Sequence, residues 1–141
     1  MVLIAHRGNI DGKNNKENLP EHINDALNKG YNAEIDLRYI CGKLYLGHDE
    51  PEYEINYSYL LTPNLWIHCK NIDALEYLKD FNNPNNYFWH QEDDVTLTSS
   101  GFLWTYPNKP LTKYSIAVIK GSEIPKNLNC FGVCSDFVSN F

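Results

Sequence analysis

The residues most capable of chemistry stand at the ends of predicted strands in the first half of the chain. His6 and Arg7 directly follow an apolar run that begins at Val2, and Glu34 and Asp36 lie two residues apart in the next predicted strand. Side chains alternate along a strand, so both carboxylates point to one face. Burying two acids side by side costs free energy through desolvation and mutual repulsion, and a bound divalent cation removes both costs. The pattern therefore predicts a cation site beside a histidine and an arginine.

Other polar residues follow later predicted strands. His48 closes a predicted hairpin, His68 and Lys70 end a third strand, and His90 follows a fourth. Since parallel strands present their C-terminal ends at the same edge, we expect all these side chains to converge at one mouth. Two histidines that transfer protons, together with a cation and basic side chains that neutralise phosphoryl oxygens, suit phosphodiester cleavage.

Hydrophobic periodicity predicts the elements that position these residues. Helices are predicted over 19–29, with Pro20 in the first turn, and over 71–81, with Asn71 or Asp73 as the N-cap. A hairpin is predicted over 39–46. Short apolar runs predict strands over 2–5, 33–37, 65–67, 87–89, 102–104, 115–119 and 131–134.

The spacing of these strands changes along the chain. Strands that begin at 2, 33 and 65 leave room for crossover helices, as in β-α-β units. Strands that begin at 87, 102, 115 and 131 scarcely do. We therefore expect a single α/β domain over 1–141 whose second half lacks most outer helices. We also expect a homo-oligomer that buries the uncovered face.

The order of the polar residues resembles a known signature. It runs His6-Arg7-Gly8, Glu17-Asn18, Glu34-x-Asp36, Gly42-x-Leu44 and His48-Asp49, and it resembles that of the glycerophosphodiester phosphodiesterases. A weaker similarity extends to Lys70 and to Ser135-Asp136. The resemblance implies a barrel of the phosphatidylinositol phospholipase C-like kind, here a minimal (β/α) TIM-type barrel with most outer helices of the second half missing.

The resemblance also implies roles for individual residues. His6 and His48 would be the acid–base pair, Glu34 and Asp36 would bind Mg²⁺ or Ca²⁺, and Arg7 would hold the phosphate. The family's reaction frees an alcohol from a glycerophosphodiester and leaves glycerol 3-phosphate, through attack by a substrate hydroxyl. These roles place the protein in lipid or glycerol metabolism.

The remaining candidates have less defined roles. Lys70 would be a second phosphate contact, and Glu17 would support the residues around the metal. His90 is a candidate substrate contact or substituted ligand. The family has Glu-x-Lys where this chain has His68-Cys69-Lys70, and that glutamate is a metal ligand there. His68 as its replacement would shift the preference towards a softer metal, or weaken metal binding.

Length is the second departure from the family. A TIM barrel typically needs about 250 residues, and about 200 at the low end, whereas this chain has 141.

Three alternatives to a hydrolase stay open. The same site can stop at a cyclic phosphate, as a lyase of the phospholipase D-like kind. It can bind phosphodiesters without turnover, as a pseudoenzyme. It can also act in biosynthesis, on a glycan that contains glycerol phosphate or on a nucleotide-linked intermediate.

Composition restricts the partners and the location. A net charge of −6 opposes binding to nucleic acids and to anionic membranes. The site residues and the resemblance imply a small-molecule phosphodiester as the ligand. The first residues have no basic region and no long apolar stretch, and no window is apolar enough for a stable membrane anchor. We therefore expect a cytoplasmic protein whose four cysteines are reduced thiols.

Overall fold

The structure is a computed structural model that describes residues 1–123, 125 and 127–141. Ten strands, two α-helices and two short 3₁₀ helices follow one another in this part of the chain. In chain order they are β1 (Val2–His6), α1 (Pro20–Asn28), β2 (Asn32–Ile40), β3 (Lys43–Leu46), β4 (Tyr53–Ile55), a 3₁₀ helix (Tyr57–Leu61), β5 (Leu65–Cys69), α2 (Ile72–Asp80), β6 (Asn86–Trp89), β7 (Val95–Leu97), β8 (Leu103–Thr105), β9 (Ser115–Ile119), β10 (Gly132–Ser135) and a 3₁₀ helix (Val138–Asn140).

All ten strands belong to one mixed sheet that curls into a half-barrel. Seven of them are parallel neighbours in the order β8-β9-β10-β1-β2-β5-β6. β7 pairs antiparallel with β8, and the hairpin β3–β4 extends antiparallel from the C-terminal half of β2. The parallel order places the C-terminal ends of seven strands along one edge of the half-barrel.

The predicted minimal TIM-type barrel is wrong, because the chain is mostly strands and does not alternate β and α units. Within the described residues, only α1 and α2 are α-helices. The hairpin β3–β4 takes the place of a helix between β2 and β5. From β6 onward, β7, turns and loops join the strands. The physical reason is length, since residues 106–114 alone connect β8 to β9, and a complete parallel crossover with its helix takes about 10–12 residues or more.

The local elements agree with the sequence prediction better than the architecture does. Both predicted helices are present and one residue shorter at each end, and the predicted strands all form. Asn71 is the N-cap of α2, and its side chain accepts a hydrogen bond from the backbone N–H of Ala74. β4 and β7 were not predicted, because each has three residues and too little alternation to be recognised. Neither α-helix has the length or the apolar character needed to span a bilayer.

The outer face of the half-barrel is covered in two ways. Around β2 and β5, both α-helices contribute side chains, such as Ile23 and Leu78, to one buried cluster that also holds Ile35 and Ile67. Around β9, the neighbouring loops lie against the sheet, and Ala117 on this face is 2% exposed. Loops and small side chains thus cover part of the face for which we expected a homo-oligomer, and the homo-oligomer stays a prediction.

The inner face holds a second core that six strands build together. Each contributes one buried side chain, and Phe88 and Trp104 stack with ring centroids 4.5 Å apart. Trp104 also lies beside Trp66, at 6.2 Å. The members of this inner cluster are Ile4, Trp66, Phe88, Trp104, Ile116 and Cys134. The polar residues at the C-terminal ends of the strands lie directly above this apolar cluster.

Phe88 tests whether the inner cluster holds the sheet in its curled form. Phe88 is 2% exposed, whereas Phe81, at the end of α2, is 55% exposed. We expect Phe88→Ala to lower the free energy of unfolding by about 3–5 kcal/mol, the usual cost of emptying a buried aromatic site. Phe81→Ala should lower it by about 1 kcal/mol or less. Urea unfolding followed by fluorescence measures both, and equal losses would contradict an interior Phe88.

Candidate functional site

A cavity of about 410 Å³ opens above the inner cluster, at the C-terminal ends of the parallel strands. Its size is within the range of small-molecule sites. Seven of the nine residues singled out from the sequence line this cavity. They are His6, Arg7, Glu34, His48, His68, Lys70 and His90. The other two, Asp36 and Glu17, lie behind the cavity wall and contact Arg7.

Asp36 lies at the centre of the site and is completely buried. Its Oδ2 atom accepts a hydrogen bond from Asn18 Nδ2 at 2.9 Å, and Arg7 Nε lies 2.9 Å from the same oxygen. Its backbone N–H donates to Asn18 Oδ1, so one side chain fixes both ends of the aspartate. Asp36 Oδ1 has no hydrogen-bond partner in the described residues. A buried carboxylate oxygen without a hydrogen-bond donor is costly, and the nearest nitrogen atoms are His68 Nδ1 at 3.6 Å and Lys70 Nζ at 4.0 Å.

His68 brings a nitrogen atom to the same point. Its Nδ1 lies 3.6 Å from Glu34 Oε1 and 3.6 Å from Asp36 Oδ1. Its Nε2 donates a hydrogen bond to the backbone carbonyl of His90 at 2.7 Å, which orients the ring. The three residues each offer one ligand atom, and these atoms lie within 4.8 Å of one another. A divalent cation between these three residues, or a second proton on the His68 ring, would compensate the negative charge of Glu34 and Asp36.

Glu34 is 1% exposed and has cationic neighbours on several sides. The backbone N–H of Arg7 donates to Oε2 at 3.1 Å, and His6 Nε2 lies 3.9 Å from the same oxygen. Burial by itself raises the pKa of Glu34, but the interactions with His68, His6 and Arg7 outweigh burial and lower this pKa well below its usual range. Glu34 is therefore ionised at neutral pH.

His6 is held by the carboxylate of Asp136, the residue that follows the last strand. Its Nδ1 donates to Asp136 Oδ1 at 2.7 Å, and Asn9 Nδ2 donates to the same oxygen at 2.8 Å. Since the carboxylate can only accept, Nδ1 carries the proton and Nε2 is the nitrogen available for proton transfer. Burial lowers the pKa of His6, but the hydrogen bond to Asp136 and the charge of Glu34 together raise it.

Arg7 has few donors to spare for a ligand. Its Nη1 atom donates to Glu17 Oε2 at 2.9 Å, while Nε lies beside Asp36. Its backbone has φ +52°, an uncommon left-handed conformation that points the N–H at Glu34. Glu17 accepts a second hydrogen bond from Asn9. Glu17 thus holds the arginine in place, which agrees with the supporting position expected for it.

His48 lies on a loop that is fixed by Arg38. The Arg38 guanidinium donates to the backbone carbonyls of Gly47, at 3.0 Å, and of His48. The His48 ring donates from Nδ1 to Asp49 Oδ1 at 2.7 Å, so Nε2 is again the free nitrogen. Both histidines expected to form the acid–base pair therefore line one cavity and share one hydrogen-bonding arrangement.

Lys70 and His90 line the cavity on the β5–β6 side. Lys70 Nζ lies 4.0 Å from Asp36 Oδ1, which leaves its ammonium hydrogens available to a ligand. His90 donates from Nε2 to the backbone carbonyl of Asp93 at 2.6 Å. Its other ring nitrogen lies far enough from the Glu34–Asp36–His68 group that His90 is not part of that cluster.

Three residues of the site were missed or undervalued from the sequence. Asp136, the partner of His6, was recognised only as a weak similarity near the end of the chain. Asn9 links Asp136 to Glu17 and carries no recognisable spacing. Arg38 falls between the predicted strand 33–37 and the predicted hairpin 39–46 and received no role, although it lies on the same face of β2 as Glu34 and Asp36. The period of two along the strand is the signal that would have found Arg38.

Comparison with known proteins adds no family: no protein-family model, no curated protein and no solved structure matches the chain. The resemblance to glycerophosphodiester phosphodiesterases therefore rests on the motifs alone. What the chain does must be inferred from the geometry of its own residues.

Gly47 tests how the His48 loop is positioned. Its φ is +153°, and a Cβ atom there would lie 1.9 Å from the backbone oxygen of Glu50. Gly42, in the turn of the same hairpin, has φ +78° and open space around it. We expect Gly42→Ala to lower the free energy of unfolding by about 1 kcal/mol through backbone strain. Gly47→Ala should cost about 2 kcal/mol more through the clash.

Urea unfolding of both glycine variants gives the difference directly. Gly42→Ala is the matched control because it introduces the same methyl group at a positive φ without a close contact. Equal losses in the two variants would show that the chain between Gly47 and Glu50 adjusts freely, which contradicts a fixed loop.

Proposed function

We propose that this protein is a metal-dependent phosphodiester hydrolase that acts on a small glycerophosphodiester-type molecule. It releases an alcohol and leaves a phosphomonoester such as glycerol 3-phosphate. The observation that carries the proposal is a single cavity where the carboxylate cluster around Asp36 meets two histidines. Each of these histidines has its Nδ1 held by an aspartate.

The cluster fits a divalent cation on the chemistry of its donors. Glu34, Asp36 and His68 would hold the ion, and Asp36 Oδ1 is a buried oxygen that lacks a donor. The His68 ring already donates Nε2–H to a backbone carbonyl, as metal-bound histidines commonly do. A bound cation would neutralise phosphoryl oxygens and so stabilise the negative charge of the transition state. Mg²⁺ or Ca²⁺ suits the two carboxylates, and the nitrogen of His68 adds preference for a softer ion.

Proton transfer falls to His6 and His48. One imidazole accepts the proton of the attacking substrate hydroxyl through Nε2, and the other donates a proton to the leaving alcohol oxygen as the phosphorus–oxygen bond breaks, which gives a cyclic phosphate. Water then opens this cyclic phosphate with the two proton-transfer roles reversed, and the phosphomonoester results. Asp136 and Asp49 fix the tautomers that leave both Nε2 atoms free. Acid–base catalysis of this kind needs two separate histidines at one cavity. A protein that only binds its ligand does not need such a pair.

Lys70 is the main basic contact for the phosphate in this proposal. Its ammonium is 4.0 Å from the nearest carboxylate oxygen and lines the cavity. Arg7 faces the cavity too, but Glu17 and Asp36 already engage Nη1 and Nε. Arg7 therefore contributes positive charge and its remaining N–H groups rather than a free guanidinium.

Hydrolysis assays on the full chain test the proposal. Glycerophosphodiesters and lysophospholipids are incubated with Mg²⁺, Ca²⁺, Mn²⁺, Zn²⁺ or chelator, and products are read by phosphorus NMR. We expect turnover that needs a divalent cation and that falls at least about 10²-fold in His6→Ala, the usual loss when a general acid–base is removed. Glu34→Gln should lose turnover as well. Glu54→Gln is the matched control, because Glu54 is exposed on β4 and paired with Lys43.

The products separate the alternatives. A phosphomonoester as the final product supports the hydrolase, whereas a cyclic phosphate that persists would make the protein a lyase. Absence of turnover with every cation, combined with binding of the diesters, would overturn the enzyme in favour of a binding module. Turnover that survives chelator unchanged would contradict the role assigned to Glu34, Asp36 and His68. The cytoplasmic location stays a prediction.

A further inference from the structure

The cavity has a second charged side that the proposed reaction does not use. Tyr106 and Pro107, which follow β8, line this side together with Val118 and Lys120 at the end of β9. Lys13 reaches the same cavity from the loop after β1. Two lysines therefore line the cavity in addition to Lys70, and the proposed reaction uses neither of them.

These two lysines form no close ion pairs with acids in the described part of the chain, although Asp136 lines the same cavity. In the part of the chain that the structure describes, neither Lys13 nor Lys120 has a carboxylate oxygen within 4.0 Å of its Nζ atom. Arg7 differs, because it lies 2.9 Å from each of two carboxylates. Glu123 lines an adjoining cavity together with Lys120, and it is not among the residues that line this one. The cavity is thus basic on its β8–β9 side as well as around the phosphate site.

Lys120 is held at the cavity by an aromatic ring instead of an acid. Its Nζ lies 5.2 Å from the centroid of the Tyr106 ring, within the range of a cation–π contact. The Tyr106 ring in turn lies 5.4 Å from the ring of His90. This arrangement restrains the lysine while leaving its three N–H donors for a ligand.

We propose that the β8–β9 side binds a second anionic group, so that the substrates are phosphodiesters whose alcohol half carries a phosphate or a carboxylate. This inference rests on the proposed function, which places the diester itself beside Lys70. Val118 and Pro107 offer apolar surface to the carbon atoms between the two anions. Alcohol halves with a positive charge, such as choline, are disfavoured because two lysines repel them.

Binding of three-carbon probes to the full chain tests the second anion site without requiring turnover. Glycerol 3-phosphate has one anionic group, 3-phosphoglycerate adds a carboxylate, and glycerol 1,3-bisphosphate adds a phosphate. Isothermal titration calorimetry measures the three dissociation constants. We expect the tighter-binding of the two probes that carry two anionic groups to bind about tenfold more tightly than glycerol 3-phosphate. The ranking of 3-phosphoglycerate against the bisphosphate identifies which anion the site prefers.

Lysine variants show which side chains bind the second anionic group. Lys120→Gln and Lys13→Gln should each remove most of the advantage of the second anion. Lys113→Gln should leave it unchanged, and Lys113 is a matched control because it also lies over a tyrosine ring, that of Tyr114, but not at the cavity. High salt should reduce the advantage, since screening weakens exposed charge pairs.

The outcomes separate this inference from the proposed function. Equal affinities for the three probes, or a preference that survives Lys120→Gln, would overturn the second anion site even if diesters are hydrolysed. A preference that depends on Lys120 and Lys13 supports it, whether or not turnover is found. Faster hydrolysis of a choline diester than of an anionic one would also overturn it.

Discussion

The burial of Glu34 and Asp36 on the inner face of the half-barrel is the constraint on which the site depends. Both carboxylates are almost completely removed from water. Each ionised group that is buried without partners costs several kcal/mol, so the surroundings must supply donors and positive charge. Arg7, Asn18 and His68 supply part of this compensation. Asp36 Oδ1 accepts no hydrogen bond in the described residues, and His68 Nδ1 and Lys70 Nζ lie only 3.6 and 4.0 Å away, so the proposed cation would complete its surroundings.

The same constraint explains features that otherwise look unrelated. The left-handed backbone at Arg7 aims an N–H at Glu34, and the loop after β1 folds back so that Asn18 brackets Asp36. Glu17, next to Asn18, accepts a hydrogen bond from the Arg7 side chain. Residues 7–18 therefore support two acids in β2, and the cavity that they border is also lined by Lys70 and Lys120. Such a cavity attracts anions, and phosphodiesters are one class of them.

The local chemistry could be predicted from the sequence because it follows from short-range rules. The two-residue spacing of Glu34 and Asp36 fixes their common face, and the C-terminal ends of parallel strands meet at one edge. The pairing of His6 with Asp136 could not be predicted in this way. It joins the first and last strands, and it exists because β10 pairs with β1 at the centre of the sheet.

The architecture could not be predicted because the resemblance came from proteins with longer connections. The short spacings after residue 87 argued against outer helices, and the structure has none of them in the described residues. The replacement of a helix by the hairpin β3–β4 had no comparable signal, since residues 39–46 alone do not show where the chain goes next. Arg38 was missed for a related reason, because its role depends on a loop that this hairpin places beside it.

Cation-dependent stability is the most direct test of the central claim that the buried carboxylates hold a divalent ion. The free energy of unfolding is measured in urea with chelator and with Mn²⁺, for the wild-type chain and for Asp36→Asn. We expect Mn²⁺ at about 100 times its dissociation constant to raise the free energy of unfolding of the wild-type chain by about 2.7 kcal/mol. In Asp36→Asn, most of this stabilisation should be lost. The same free energy of unfolding with and without the cation, or an equal gain in the variant, would contradict the central claim.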